Sequence, residues 1–201
     1  MDFDLESLRG RKAGLILQEH CRKAAVIIPL IKTENGPEVL FEVRSEKIGR
    51  QPGDVCFPGG AMLEGEAPLD AAVRETCEEL LIDPEQLEII CACDMFHNAS
   101  TLIYPFAAYL CGYVGSFSPD EVSEVFTVPL EYFVKTEPIV YDARMVKDLD
   151  DDFPYELINR GKDYKWPPRI DKELFWSCGA HTVWGISARI MKGFTDALHI
   201  R

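Results

Sequence analysis

Three carboxylates, Glu75, Glu78 and Glu79, sit at i, i+3 and i+4 within residues 53–82, a stretch that opens on Phe57-Pro58-Gly59-Gly60. On a helix, residues at that spacing are surface neighbours, and like charges there repel unless something offsets them. Two readings are open. In the first, the acids form a solvated helix face on which Arg74 pairs with Glu78 four residues on. In the second, they hold a hard divalent cation. Mg²⁺ takes carboxylate and carbonyl oxygen and keeps water or phosphate as its remaining ligands. A glycine corner just before the helix can supply that carbonyl oxygen and let a substrate come close to the backbone.

The element that must carry these acids is a helix starting at Pro68, where the missing N–H has no intrahelical partner to lose. At about 100° per residue, Leu69, Ala72, Val73, Cys77 and Leu80 fall within roughly 140° of arc, a stripe that predicts burial. The same count places Glu75, Glu78 and Glu79 together on the opposite side.

The spacing from Gly60 through Glu66 to Arg74-Glu75-Thr76-Cys77-Glu78-Glu79 resembles the Nudix box, Gly-x5-Glu-x7-Arg-Glu-U-x-Glu-Glu-x-Gly-U with U aliphatic. Every charged position of the box is present. Thr76 stands where an aliphatic residue is usual, and Leu81 where the box has glycine. The loss of that glycine predicts an altered helix exit, because glycine most easily takes a left-handed cap. The resemblance implies an α/β fold, a Nudix α/β/α sandwich with a mixed central sheet. It implies hydrolysis of a nucleoside diphosphate joined to another group. Mg²⁺ or Mn²⁺ would be held by Glu75, Glu78, Glu79 and the Gly60 carbonyl. By the same resemblance Glu75 helps deprotonate the attacking water, Arg74 holds a carboxylate in place, and Glu66 supports the network from behind. An acid of a later loop assists the water or a further ion, with Glu124 preferred over Glu121 for that role.

Upstream of the box, residues 44–52 form a basic loop carrying Arg44, Lys47 and Arg50 in an otherwise acidic chain. A basic loop leading into a metal site suits phosphate, with Arg44 and Arg50 as its contacts and Gly59 where the ligand nears the backbone. Leu40 to Ser45, then Gly53 and Phe57-Pro58-Gly59-Gly60, are similar to the pattern preceding the box in the coenzyme A diphosphatase branch of the family. Glu42 replaces a threonine of that pattern, and Gly49 holds the later arginine position, with Arg50 one place along. This resemblance implies cleavage of coenzyme A or acyl-CoA to 3′,5′-ADP and a phosphopantetheine. The alternatives are ADP-ribose or another nucleoside-diphosphate derivative as substrate, or a non-catalytic binding module.

The remaining chain is read as one domain, residues 1–201, with a helical extension near residues 4–22 and a closing helix. Ala24–Ile31 and Pro37–Arg44 flank Asn35-Gly36 and predict a hairpin. Leu87–Met95 and Ile103–Val114 predict strands, the second at an edge or bulged because of Pro105. Further strands are expected at Ile139–Tyr141 and Phe153–Ile158. Trp184, Ala188, Met191, Phe194 and Leu198 repeat at helical spacing, and His181–Ile190 resembles the C-terminal helix of the diphosphatase branch. With 21 basic against 34 acidic residues and a net charge of −13, a nucleic-acid polymer is not an expected partner. No apolar run is long enough for a membrane span. Seven cysteines without a paired spacing suggest buried, reduced thiols. With no signal peptide, this makes the cytoplasm the expected location. The partner expected is a small molecule, coenzyme A-like or a nucleoside-diphosphate derivative. Homodimerisation is left open.

Overall fold

Asn35 and Gly36 close the first hairpin. Strands β1 (Arg22–Thr33) and β2 (Gly36–Arg44) run antiparallel, with Thr33 opposite Gly36, whose φ of +108° suits a residue lacking Cβ. The computed structural model describes residues 20–198 without a break, preceded by residues 6, 9, 10, 15 and 16. Most of the expected helical extension near residues 4–22 lies outside the described residues.

The central sheet follows the order β3-β2-β1-β7-β5, where β3 is Val55–Cys56, β5 Leu87–Ala92 and β7 Thr101–Leu110. Strand β4 (Gly59–Ala61) adds to β1, β6 (Phe96–His97) to β7, and β8 (Val122–Pro129) to β2. Among the described strands only β1 and β7 pair in parallel, so the sheet is mixed. Helix α1 (Pro68–Leu80) covers one face, over Ala25, Ile27, Leu40 and Ala108. Helices α2 (Leu130–Lys135) and α3 (Gly185–Ala197) cover the other, over Ile28, Val39, Phe41 and Phe57. Residues 39, 40 and 41 thus alternate between the two cores, as a strand buried on both faces requires. The result is an α/β/α sandwich.

A second, antiparallel sheet, β11-β10-β9, packs on the α2/α3 side. Its strands are β9 (Ile139–Met145), β10 (Arg169–Cys178) and β11 (His181–Trp184). Trp176 anchors it, 1% exposed, with its indole N–H donating to the Thr136 carbonyl at 2.7 Å. Burying such a ring with its polar atom satisfied stabilises by roughly 2–3 kcal/mol.

Several expectations are corrected. Residues 153–158 hold a 3₁₀ turn at Tyr155–Leu157 instead of a strand, because Pro154 favours a turn and Leu157 N–H bonds back to its carbonyl at 3.0 Å. His181–Trp184 is a strand; the helix begins at Gly185, whose φ of +59° marks the change of direction. Strand β7 is central, not an edge. Pro105 is tolerated because its imino side faces β5 and β6, at the break between them, where its carbonyl accepts from Cys93 N–H at 2.9 Å. Leu81 does take the left-handed cap, at φ 52° and ψ 52°, so the helix exit expected to change keeps its geometry with a strained leucine. All seven cysteines are free, and Cys91 and Cys111 are exposed instead of buried.

Candidate active site

Arg74 ties the box together. Its Nε donates to Glu66 Oε1 at 2.9 Å, one Nη to Glu66 Oε2 at 3.0 Å and the other to Glu75 Oε1 at 2.7 Å. It also reaches the Ala61 carbonyl at 3.3 Å, fixing the glycine corner to the helix. Glu66 in turn accepts the Leu63 N–H at 2.8 Å. The Arg74 guanidinium beside it, helped by that N–H, holds the Glu66 carboxyl below its ordinary value. Glu78 stays on the rim, 3.6 Å from Arg74, with 57% of its side chain exposed.

The glycines of the corner have separate reasons. A Cβ on Gly59 would lie 2.3 Å from the Ala25 carbonyl, in a backbone at φ +141°. One on Gly60 would lie 2.4 Å from Glu75 Oε2, so Gly60 is the opening through which this carboxylate meets the corner.

Glu79 is the largest departure from the helical-wheel reading. It is only 4% exposed, on the buried face with Ala71, Ala72, Thr76 and Leu80, while Leu69, Val73 and Cys77 are half-buried. The buried arc is rotated toward the acids because α1 lies over β1 and β4, and the loop at residues 116–118 grips its C-terminal carbonyls. Ser116 Oγ donates to the Leu80 carbonyl and Ser118 N–H to that of Glu79, both at 2.7 Å. Glu79 Oε2 accepts the Gly59 N–H at 2.7 Å. Burial, then the charge of Glu42, pushes the Glu79 carboxyl up to about 9, against the pull of that N–H.

Glu42, on β2, joins Glu79 as a second buried acid. It is 1% exposed, its Oε1 accepts from Cys56 Sγ at 3.2 Å, and its Oε2 has no hydrogen-bond partner. Burial pushes it up to about 7, with the Cys56 hydrogen bond and the Arg44 charge opposing. Its signal in the sequence is a charge in phase with Leu40 on a period of two. Glu121 raises both Glu42 and Glu79 by its charge. Its carbonyl is held by Ser45 N–H at 2.8 Å, in the same loop that grips α1. Glu124 is instead within β8 and faces His181 at 3.2 Å, beside the stacked rings of Phe126 and His181. Of the two later acids, Glu121 is the one whose charge reaches Glu42 and Glu79, whereas Glu124 faces His181.

These oxygen donors fit a hard cation in kind: Glu75, Glu79, the Gly60 carbonyl, and a buried Glu42 oxygen with nothing to bond. The charge of Glu42 raises Glu79, so a cation between them would relieve the buried acids. Among the described residues, no three Asp, Glu, His or Cys side chains already converge on one point. An ion here would complete its shell with water and substrate oxygen.

Across β4 from Glu75 lies a cavity of about 420 Å³ between the sheet and the start of α3. Gly59 and Gly60 line it, as do Arg22, Lys23, Arg44 and Arg50, against a single acid among the described residues, Asp54. Lys47, the third cation of the basic loop, turns away to Asp120 at 2.9 Å. Arg44 Nε donates to the Arg50 carbonyl at 3.3 Å, which folds the loop back onto the cavity. The structure thus brings together Arg44, Arg50, Gly59, Gly60, Glu66, Arg74, Glu75 and Glu79. It leaves Glu78 at the rim and Glu124 elsewhere. Local spacing does not mark Glu42, Arg22 or Lys23 for this site, and it places Trp184, another lining residue, in the helix core.

The site thus sits in a mixed sheet sandwiched by helices, where an acid helix abuts a glycine corner. A family model described as the NUDIX domain matches residues 22–149. The chain belongs to the Nudix hydrolase family. It is 35% identical over 139 residues to the mouse peroxisomal coenzyme A diphosphatase NUDT7, covering 65% of this chain and 56% of that protein. A Nudix hydrolase NudL of Enterobacter sp. (strain 638) is 31% identical over 181 residues, 85% of this chain and 80% of that one. The human mitochondrial coenzyme A diphosphatase NUDT8 is 29% identical over 177 residues, 83% and 65% of the respective chains. The chain spans little more than half the length of the mouse protein and of a Caenorhabditis elegans Nudix hydrolase 3, 56% and 58%. Among solved structures, a C. elegans Ap4A hydrolase aligns with a TM-score of 0.48 at 25% identity, covering 57% of this chain and 84% of that one. None of the described helices is long and apolar enough to cross a membrane.

Proposed function

We propose that the protein is a Mg²⁺- or Mn²⁺-dependent hydrolase that cuts the diphosphate of coenzyme A or an acyl-CoA, giving 3′,5′-ADP and an (acyl-)4′-phosphopantetheine. The observation that carries this is the cation-lined cavity meeting the glycine corner against which Glu75 stands. In an acidic chain, such a concentration of positive charge suits a compact polyanion.

In this reading Arg44 and Arg50 draw in the diphosphate, and the exposed backbone of Gly59 and Gly60 lets it lie close. Glu75, Glu78, Glu79 and the Gly60 carbonyl hold the metal. Bound metal supplies neutralisation of phosphate charge and a lowered pKa for water. Water oxygen forms a bond to one phosphorus, the bridging P–O bond breaks, and the bridging oxygen leaves with the other phosphate. Glu75, fixed by Arg74, takes the proton of the water, and Glu66 keeps Arg74 in place. The protein works as a single domain in contact with a small molecule, in the cytoplasm, and Glu124 acts at most on the periphery of the reaction.

A second reading is hydrolysis of ADP-ribose or a related nucleoside-diphosphate derivative. Glu42 favours it, since it occupies a threonine position of the coenzyme A pattern and is buried beside Cys56. Product analysis after incubation with coenzyme A, acetyl-CoA and ADP-ribose, each with Mg²⁺ or Mn²⁺, decides between them. Release of 3′,5′-ADP at the highest kcat/KM supports the first reading, and faster turnover of ADP-ribose replaces it with the second. No product from any of them makes the chain a binding module.

A further inference from the structure

We propose that Trp184 and Arg22 form a subsite for the nucleotide half of the substrate, Trp184 stacking on the base and Arg22 taking a phosphate on the ribose. The proposal rests on reading the site as one that cuts nucleotide-containing diphosphates. It adds which half enters the cavity, and by which residues.

Trp184 belongs to the second sheet and lies beyond residues 22–149, which the family model matches. Its ring stacks on Phe175, with centroids 5.9 Å apart and planes 5° from parallel, so one face is supported from behind. It is nevertheless 42% exposed and borders the cavity. A rigid, half-open aromatic plane beside a polar cavity is what a base needs for stacking, and base–aromatic stacking tolerates any base. The floor beside it is apolar, from Val26, Ile103 and Ile190.

Arg22 shares a strand face with Ala24 and Val26, both of which line the cavity, whereas Ala25 points to α1. No carboxylate among the described residues lies within ion-pair distance of Arg22, while Lys47 and Arg74 each have an acidic partner. No described carboxylate competes for the guanidinium, and its fork geometry matches a phosphate. A cavity of about 420 Å³ is near the lower end of small-molecule sites, which run from roughly 300 to 1,000 Å³. It suits a nucleotide, with the remainder of a long substrate outside.

The test is direct binding to the full chain of three probes: adenosine 3′,5′-bisphosphate, AMP and ribose 5-phosphate. Calorimetry gives the affinities, and tryptophan fluorescence reports stacking. Trp184→Leu weakens both nucleotides about tenfold and leaves ribose 5-phosphate unchanged, and Trp184→Phe keeps nucleotide affinity within about threefold while losing the quenching. Arg22→Gln weakens adenosine 3′,5′-bisphosphate about tenfold and spares AMP. The proposal is overturned if Trp184→Leu binds the bisphosphate like the wild type, if all three probes lose equally, or if the wild type binds none. Retention by Trp184→Phe keeps the result interpretable should the leucine variant fold poorly. An enzyme that cuts ADP-ribose but not coenzyme A refutes the substrate reading and leaves the subsite standing. One that cuts coenzyme A with an unchanged KM in Trp184→Leu does the reverse.

Discussion

The two faces of the central sheet carry opposite charge. On the α1 face, the charges of Glu42, Glu75 and Glu121 all push Glu79 up, and Arg74 is engaged by Glu66 and Glu75. On the α3 face, Arg22, Arg44 and Arg50 line a cavity whose one acid among the described residues is Asp54. Strand β4 separates them by the thickness of a glycine backbone. The contrast teaches how the labour is divided: the basic face gathers an anion, while the acidic face is hostile to one unless a cation intervenes. Alterations on the two faces should therefore fail in different ways, on kcat for the acids and on KM for the bases.

The largest effect is expected from Glu79→Gln, which lowers kcat on the order of 10³-fold, the scale of losing a main electrostatic contribution to the transition state. Saturating-substrate turnover at high Mg²⁺ measures it. A loss below tenfold would reduce the acid face to a structural feature. The exposed Glu78 should tolerate the same change better.

Next comes the pH dependence of the metal-free fold. Burial raises Glu42 from its ordinary 4.5 to about 7, so its contribution to stability is fully present below pH 4.5 and is lost as pH rises through about 7. The amount is about 3 kcal/mol at most. Glu42→Gln should flatten that decline, as read by urea melts at several pH values in chelator. An unchanged slope would mean that Glu42 does not stand unbalanced in the acid face.

Arg44→Gln sharpens the other side of the contrast. It should raise KM for the diphosphate substrate about tenfold, the value of one charge-assisted hydrogen bond, with little change in kcat. A pure kcat defect would erase the distinction between the faces.

The smallest effect lies at the helix exit. Leu81→Gly relieves a left-handed leucine, 58% exposed, and should stabilise the fold by about 1 kcal/mol without altering turnover. Thermal melts of the two proteins check it, and destabilisation would show that the Leu81 side chain holds the exit.

Read in one dimension, the chain already determined the first hairpin, helix α1 from Pro68, and the ordered row of box acids, because each is written in local spacing. Asn35-Gly36 needs no distant partner to turn, and Pro68 none to start a helix. Which acids are buried was decided only by packing. A helical wheel gives the angles between residues, but the sheet and the 116–118 loop choose which angle faces inward, and they turned Glu79 in and left Glu78 out. Likewise Glu42 and Glu121 are distant from Glu79 along the chain and meet it through strand pairing. Trp184 reads as helix core until β10 holds it in a strand, where its ring opens onto the cavity. Local sequence fixes conformation over a few residues, whereas a site joins side chains from far apart, and only the tertiary fold brings those together.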